Sequence, residues 1–129
     1  MWLDFLDKNR FLLSLYNEIP DLKKVEILQF RIDCDRNNVE LVFVMPRYGD
    51  NPPEKWKEKN CNLVLVEIDF VAIKNLKFKL NCSNYIGDID IFVDEKGLVN
   101  LSIKGDINVS LLAELGFIQK VEGYCLNGA

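Results

Sequence analysis

Two pairs of carboxylates at alternate positions have the residue type and spacing needed for acid–base catalysis or metal binding. Glu67 and Asp69 are two residues apart in one predicted strand, and Asp88 and Asp90 have the same spacing in a later one. Alternate side chains of a strand share a face about 7 Å apart. Such a pair could act as the acid and base of a glycosidase-like site, or it could bind a metal ion.

Two lysines favour a simpler interpretation of these carboxylates. Lys77 and Lys79 alternate in a strand that the sequence places between the two acidic strands. If neighbours in sequence are neighbours in the sheet, a basic row lies between two acidic rows and forms cross-strand charge pairs. The lysines would then keep the pKa values of the carboxylates from rising. We therefore predict a solvated, charged sheet face with no catalytic, cofactor-binding or metal site.

The composition excludes several classes of function. The 129 residues include no histidine, which removes the commonest general base and the commonest metal ligand. Neither a nucleophile-elbow serine motif nor a glycine-rich phosphate loop is present. A net charge of -4 argues against a nucleic-acid binder and is compatible with a basic protein partner. The sequence predicts a non-enzymatic chain forming a single domain over residues 1–129.

The same composition predicts a cytoplasmic protein. The first residues mix acidic with apolar side chains and carry no cleavage signal, and no apolar run reaches membrane-spanning length. The four cysteines are scattered, without the close spacing of a zinc or redox motif. We expect them to be free thiols, mostly buried, because a cytoplasmic location keeps cysteines reduced.

The strand Asn62–Phe70 is the centre of the predicted fold. Its even-numbered residues from Val64 to Phe70 are all apolar, whereas its odd-numbered residues change from leucine to acidic. This pattern is typical of a central strand with one fully buried face. Similar alternation recurs along the chain, with a turn predicted near Lys74-Asn75 and the last two strands at Ile107–Leu112 and Phe117–Tyr124. The sequence predicts an α+β, mainly β fold, in which an N-terminal helix over Lys8–Ile19 packs on an antiparallel meander of seven or eight strands.

The segment Pro46–Asn60, here called the proline loop, interrupts the strand pattern. It contains three prolines and one glycine, which exclude a regular central strand. Ordered loops of this length are often functional. Trp56 in this loop could be an interface anchor, or it could only pin the loop to the core.

Several short motifs are distributed over nearly the whole chain. They are Trp2, Leu15-Tyr16, Pro20-Asp21-Leu22, Pro46, Pro52-Pro53-Glu54-Lys55-Trp56 and Val121-Glu122-Gly123-Tyr124. With these motifs, the chain resembles the immunity protein 50 family of bacterial polymorphic toxin systems. The resemblance implies a protein that binds a cognate toxin in the cytoplasm and neutralises it, with no cofactor and with neither nucleic acid nor membrane as a partner. The alternative classes are a non-catalytic scaffolding or interaction domain, and an enzyme or small-ligand binder that uses a cavity in the sheet.

If the partner is a toxin that attacks nucleic acid, its active-site cleft would be basic. Acidic side chains in the proline loop without partners of their own could occlude such a cleft and accelerate the encounter. The prolines limit the freedom of the loop and so reduce the entropy lost on binding. Alternatively, the loop could only close one end of the sheet. The predicted partner-binding residues are Tyr48, Asp50, Glu54 and Trp56 in the loop, with Asp88 and Asp90 as a second candidate.

Overall fold

A computed structural model describes residues 1–126 as a mainly β fold, in agreement with the prediction. The described chain contains six antiparallel strands in one sheet, which closes on itself in the order β1-β2-β3-β6-β5-β4. The strands are β1 Val25–Asp33, β2 Asn38–Val44, β3 Leu63–Leu80, β4 Ile86–Val93, β5 Val99–Gly105 and β6 Ile107–Tyr124.

The prediction of seven or eight strands is wrong because two pairs of predicted strands are continuous. The turn expected at Lys74-Asn75 is absent, and β3 runs through this region for 18 residues. Ala72 has a φ of 55°, and the pairing register shifts between Ile73 and Asn75. Such a bulge bends a strand without ending its pairing. In the same way β6 joins the two strands predicted at the end of the chain.

The predicted meander is also wrong, since neighbours in sequence are not always neighbours in the sheet. β3 pairs with β2 and β6, while β4 pairs with β5 and makes a two-residue contact with β1 that closes the barrel. Val66 therefore lies opposite Phe43 on one side and Val121 on the other. The inward residues of β2 and β3 follow the predicted alternation and are buried: Val39, Leu41, Phe43, Val64, Val66, Ile68 and Phe70.

The N-terminal segment is irregular and contains no long helix, so the predicted packed helix over Lys8–Ile19 is wrong. The chain begins with a 3-10 turn, Trp2–Phe5, and continues to α1, Arg10–Leu15, which has only six residues. Lys8 has a φ of 57°, outside the helical region. Tyr16 is already extended, so the helix ends well before Pro20.

The irregular N-terminal segment is nevertheless part of the core. The Trp2 ring contacts Phe43 edge-on with the centroids 6.4 Å apart, and its indole nitrogen donates to the Pro20 carbonyl over 3.0 Å. The outer face of β3 receives no helical cover, and Leu63 and Leu65 remain only partly buried there.

The proline loop contains a second short helix, α2, Glu54–Glu58, which follows the extended residue Pro53. Proline has no backbone N–H to lose at a helix start, which suits it to this position. None of the helices in residues 1–126 is long and apolar enough to cross a membrane.

The four cysteines are free, but none of them is buried. Cys34 and Cys82 are exposed, and Cys61 and Cys125 are partly exposed. The prediction of mostly buried thiols is wrong because all four lie outside the strands, beyond the inward positions that form the core.

Candidate functional site

The first half of the proline loop is fastened to the end of α1 through Asp50. The Asp50 carboxylate accepts hydrogen bonds from the Asn17 backbone N–H over 2.9 Å and from Arg47 Nη1 over 3.0 Å. Arg47 Nη2 also donates to the Glu18 carbonyl over 2.8 Å. The bond from Asn17, and after it the bond from Arg47, lowers the pKa of Asp50. Asp50 is therefore not the unpartnered acid that the sequence led us to expect.

Further contacts make this half of the loop rigid. The Tyr16 hydroxyl donates to the Arg47 carbonyl over 2.7 Å, and the Asn51 N–H donates to the Leu15 carbonyl over 2.9 Å. Burial raises the pKa of the Tyr16 phenol, which therefore stays protonated and remains a donor. Gly49 lies so close to Leu15 that a Cβ atom at this position would collide with it.

The second half of the loop is fixed by Trp56. Its indole lies flat against Gly123 of β6, with no space between them for a Cβ atom. The Trp56 ring also packs against Tyr48, with centroids 6.2 Å apart, and against Phe11, with centroids 5.8 Å apart. Trp56 and Tyr48 are partly buried, which is the arrangement expected if Trp56 pins the loop to the core.

Phe11 is an exposed aromatic residue that sequence reasoning missed. The helical spacing placed it on the buried stripe of a long helix, but α1 is short and the Phe11 side chain is 42% exposed beside Trp56. Exposed aromatic residues on a fixed support are typical interface anchors. Phe11 therefore extends the candidate surface from the proline loop onto α1.

Glu54 is the most accessible of the predicted loop residues. It lies in the first turn of α2, and its side chain is 76% exposed, with the Lys57 ammonium 3.8 Å away. The loop is not acidic as a whole, since it contains Arg47, Lys55, Lys57 and Lys59 as well as Asp50, Glu54 and Glu58. Any electrostatic attraction by this surface must therefore be local to Glu54 and its neighbours.

The second candidate, Asp88 and Asp90, lies on β4, in a different part of the barrel. Asp88 accepts a hydrogen bond from the Lys24 backbone N–H over 2.8 Å, whereas Asp90 is exposed. Both line a surface depression of about 390 Å³ whose border also includes Asp21, Lys23 and Lys104. β5 and β6 separate this depression from β3, so the predicted row of acidic, basic and acidic strands does not form.

Glu67 and Asp69 instead meet Glu40 of β2, and these three residues are here called the carboxylate cluster. Asp69 is directly opposite Glu40, and one carboxylate oxygen from each of the three lies within 4.8 Å of the others. The predicted compensation by Lys77 and Lys79 is wrong, because the lysines lie further along the same strand, β3.

Asp69 is the buried member of the cluster. It is only 5% exposed, and its Oδ1 atom has no hydrogen-bond partner. Burial, and then the hydrogen bond and negative charge of Glu67 and the charge of Glu40, raises the pKa of Asp69 from 3.8 to about 7. Arg31 opposes this rise only weakly because it is paired with Glu40, over 2.9 Å.

The raised pKa of Asp69 predicts that the protein becomes less stable as the pH rises. Between its unfolded value of about 3.9 and its folded value of about 7, the folded state binds more protons than the unfolded state. The stabilisation by protonated Asp69 is complete below the unfolded pKa and is lost as the pH rises through the folded pKa. In EDTA at about pH 8, Asp69→Asn should be more stable than the wild type by about 1–2 kcal/mol. Urea melts between about pH 4 and 8 measure this difference.

Asp90→Asn is the matched control, because it removes an exposed carboxylate from β4. It should leave the pH profile of the wild type unchanged. An Asp69→Asn profile parallel to that of the wild type would contradict the account of the carboxylate cluster.

Comparison with models of known protein families finds a match over most of the chain. A family model described as Immunity protein 50 matches residues 9–124 of the chain. No curated protein and no solved structure matches. The matched range includes α1, the proline loop and all six strands.

Proposed function

Because the chain belongs to the immunity protein 50 family, we propose that it binds a cognate toxin of a bacterial polymorphic toxin system and neutralises it. The main support for this proposal is the extent of the family match, which runs from residue 9 to residue 124 of the 129-residue chain. In this proposal the protein acts in the cytoplasm, has no catalytic activity of its own, and works by covering a surface that the toxin needs.

We place the contact on the proline loop and the adjoining face of α1. Association costs conformational entropy, so a surface that is already ordered binds more tightly than a mobile one. The hydrogen bonds of Asp50 and the packing of Trp56 and Tyr48 provide that order. Glu54 and Phe11 are the exposed groups on this support and would form the contact itself.

Glu54→Lys tests the contact surface. Glu54 is highly exposed, so its replacement should change the free energy of unfolding by less than about 1 kcal/mol. If Glu54 faces a basic part of the toxin, the new lysine should slow association and weaken binding by about tenfold or more. Surface-binding kinetics at low ionic strength measure both quantities.

The matched control is Glu95→Lys, in the exposed turn between β4 and β5. It changes the net charge by the same amount as Glu54→Lys but leaves the proline loop intact. We expect wild-type binding for this control. Equal affinities for both variants and the wild type would move the interface away from α2, with the depression beside Asp88 and Asp90 as the next site to test.

Protection in living cells tests the proposed function. A candidate cognate toxin is expressed from a controlled promoter, with and without the chain, and the number of surviving cells is counted. The proposal predicts survival with the wild type and death with an unfolded variant. Equal killing with and without the chain would exclude neutralisation and would favour a scaffolding role.

A further inference from the structure

The carboxylate cluster lies on the outer face of the barrel, where β2 and β3 pair. The inward positions of β2 are Val39, Leu41 and Phe43, so Glu40 points outward with the residues that alternate with them. Glu40 is opposite Asp69, and Glu67 precedes Asp69 by two residues on the same face. Three carboxyl groups therefore converge from two neighbouring strands.

The basic residues nearest to the cluster compensate only one of its three carboxylates, Glu40. Arg31 is opposite Glu40 and pairs with it, and Lys120 is opposite Glu67 but points its ammonium to Glu122, 2.8 Å away. Within residues 1–126, neither Glu67 nor Asp69 forms a salt bridge. Phe117 of β6 is opposite Asp69 on the other side and offers it no polar partner.

Two buried oxygen atoms of this face have no hydrogen-bond donor. One is Asp69 Oδ1, in a side chain that is 95% buried and turned toward the two glutamates. The other is Asn38 Oδ1, which lies two residues before Glu40 and therefore on the same face. A buried acceptor without a partner costs about 1–3 kcal/mol, unless something supplies positive charge or a donor.

We propose that Glu40, Glu67 and Asp69 form a binding site for a hard divalent cation, with Ca²⁺ as the ion to be tested. Hard cations take oxygen ligands, and carboxylates are their usual protein donors. One carboxylate oxygen of each residue lies within 4.8 Å of the other two, so the three groups are near enough to share one cation. Ca²⁺ accepts irregular sets of oxygen ligands, whereas Mg²⁺ needs near-ideal octahedral geometry and keeps several of its waters.

The cation would join β2 to β3 and relieve the repulsion between the three carboxylates. With three carboxylates as the protein ligands, the remaining coordination positions would be filled by water. Such a site belongs to the weaker calcium sites of proteins, which have dissociation constants of about 10⁻⁴ to 10⁻³ M.

The test uses the full chain, freed of metal with EDTA and dialysed to about pH 8, where the carboxylates of model peptides are ionised. Raising CaCl₂ to about 10 mM at constant ionic strength should raise the melting temperature by about 4 °C. Mg²⁺ should give a smaller shift, and calorimetric titration should show one Ca²⁺ per chain.

Three variants make the test specific. Asp69→Asn and Glu67→Gln should fold and lose the response to Ca²⁺, while Asp90→Asn on β4 should keep the full shift. A wild type that gives no heat and no shift with Ca²⁺ would overturn the site, and so would an equal shift in all variants. A gain in stability for Asp69→Asn in EDTA, with no Ca²⁺ response in the wild type, would show that the cluster binds a proton and no cation.

Discussion

Val66→Asp is expected to prevent the protein from folding. Val66 is fully buried in the first half of β3, between Phe43 of β2 and Val121 of β6. An ionised carboxylate without a partner in this apolar interior costs more than the 5–15 kcal/mol, roughly, that stabilises a domain of ordinary size. Even protonated, the aspartic acid would leave a polar group unpaired, at a cost of about 2–7 kcal/mol. Near-ultraviolet circular dichroism of the purified variant should show no fixed tertiary structure.

The matched control for Val66→Asp is Lys77→Asp, in the exposed second half of the same strand. It introduces the same side chain where water can solvate it, so the domain should fold with a change of less than about 1 kcal/mol. If Val66→Asp melted at the temperature of the wild type, β3 could not be the buried centre of the sheet.

Gly123→Val is expected to displace Trp56 and to detach the proline loop from the barrel. Gly123 leaves no space for a Cβ atom against the Trp56 indole, and a branched side chain needs still more room. Overpacking of this kind costs about 1–3 kcal/mol, and the lost contacts of Trp56 with Tyr48 and Phe11 add to that cost. Tryptophan emission should move to longer wavelength as the ring enters water, since Trp2 is buried elsewhere and stays in place. The free energy of unfolding should fall by about 2–3 kcal/mol.

Ser110→Val is the control for Gly123→Val. It introduces the same branched side chain on β6, at an exposed position of the same strand, and valine is favoured in strands. We expect the emission spectrum and stability of the wild type. If Gly123→Val behaved in the same way, the packing of Trp56 on Gly123 would not hold the proline loop, and its hydrogen bonds to the end of α1 would account for its order. Because Gly123→Val releases the loop without changing any charge, it should also reduce protection against the toxin.

The alternation of apolar residues was sufficient to predict a mainly β fold and the inward face of β3. Side chains alternate along a strand whatever the strand is paired with, so this pattern is local. The number of strands was less predictable. The segment around Ala72 and Lys74-Asn75 has the residues of a turn, but it forms a bulge within one continuous strand. The pairing of β3 with β6 decides between a turn and a bulge here, and this pairing joins residues that are far apart in the sequence.

The prediction of a long N-terminal helix was wrong for a related reason. The spacing of Leu12 and Leu15 is helical, and both residues are buried, but the same spacing continues past Tyr16 into extended chain. The contacts of this segment are with the proline loop and the end of the barrel, more than 30 residues away in sequence. Tertiary contacts of this kind override helical propensity over short segments.

The candidate site was predicted in part. Composition and prolines identified the proline loop as an ordered, aromatic segment, but its hydrogen-bond partners could not be predicted. The partner of Asp50, Asn17, is 33 residues away in sequence, and no local pattern connects them. Glu40 could have been found, because the apolar residues Val39, Leu41 and Phe43 alternate around it and put it on the outer face of a strand. Glu40 was missed because the carboxylates of the central strand were expected to pair with Lys77 and Lys79, on the assumption that neighbours in sequence are neighbours in the sheet.

The affinity of the purified chain for its proposed cognate toxin is the most direct test of the central claim. The account predicts a one-to-one complex with a dissociation constant of about 10⁻⁹ M or tighter, measured by calorimetry or surface binding. Glu54→Lys should weaken this complex by at least about tenfold while Glu95→Lys leaves it unchanged. The absence of a complex at about 10 μM of each protein, with both shown to be folded, would contradict the proposal that this chain neutralises the toxin by binding it.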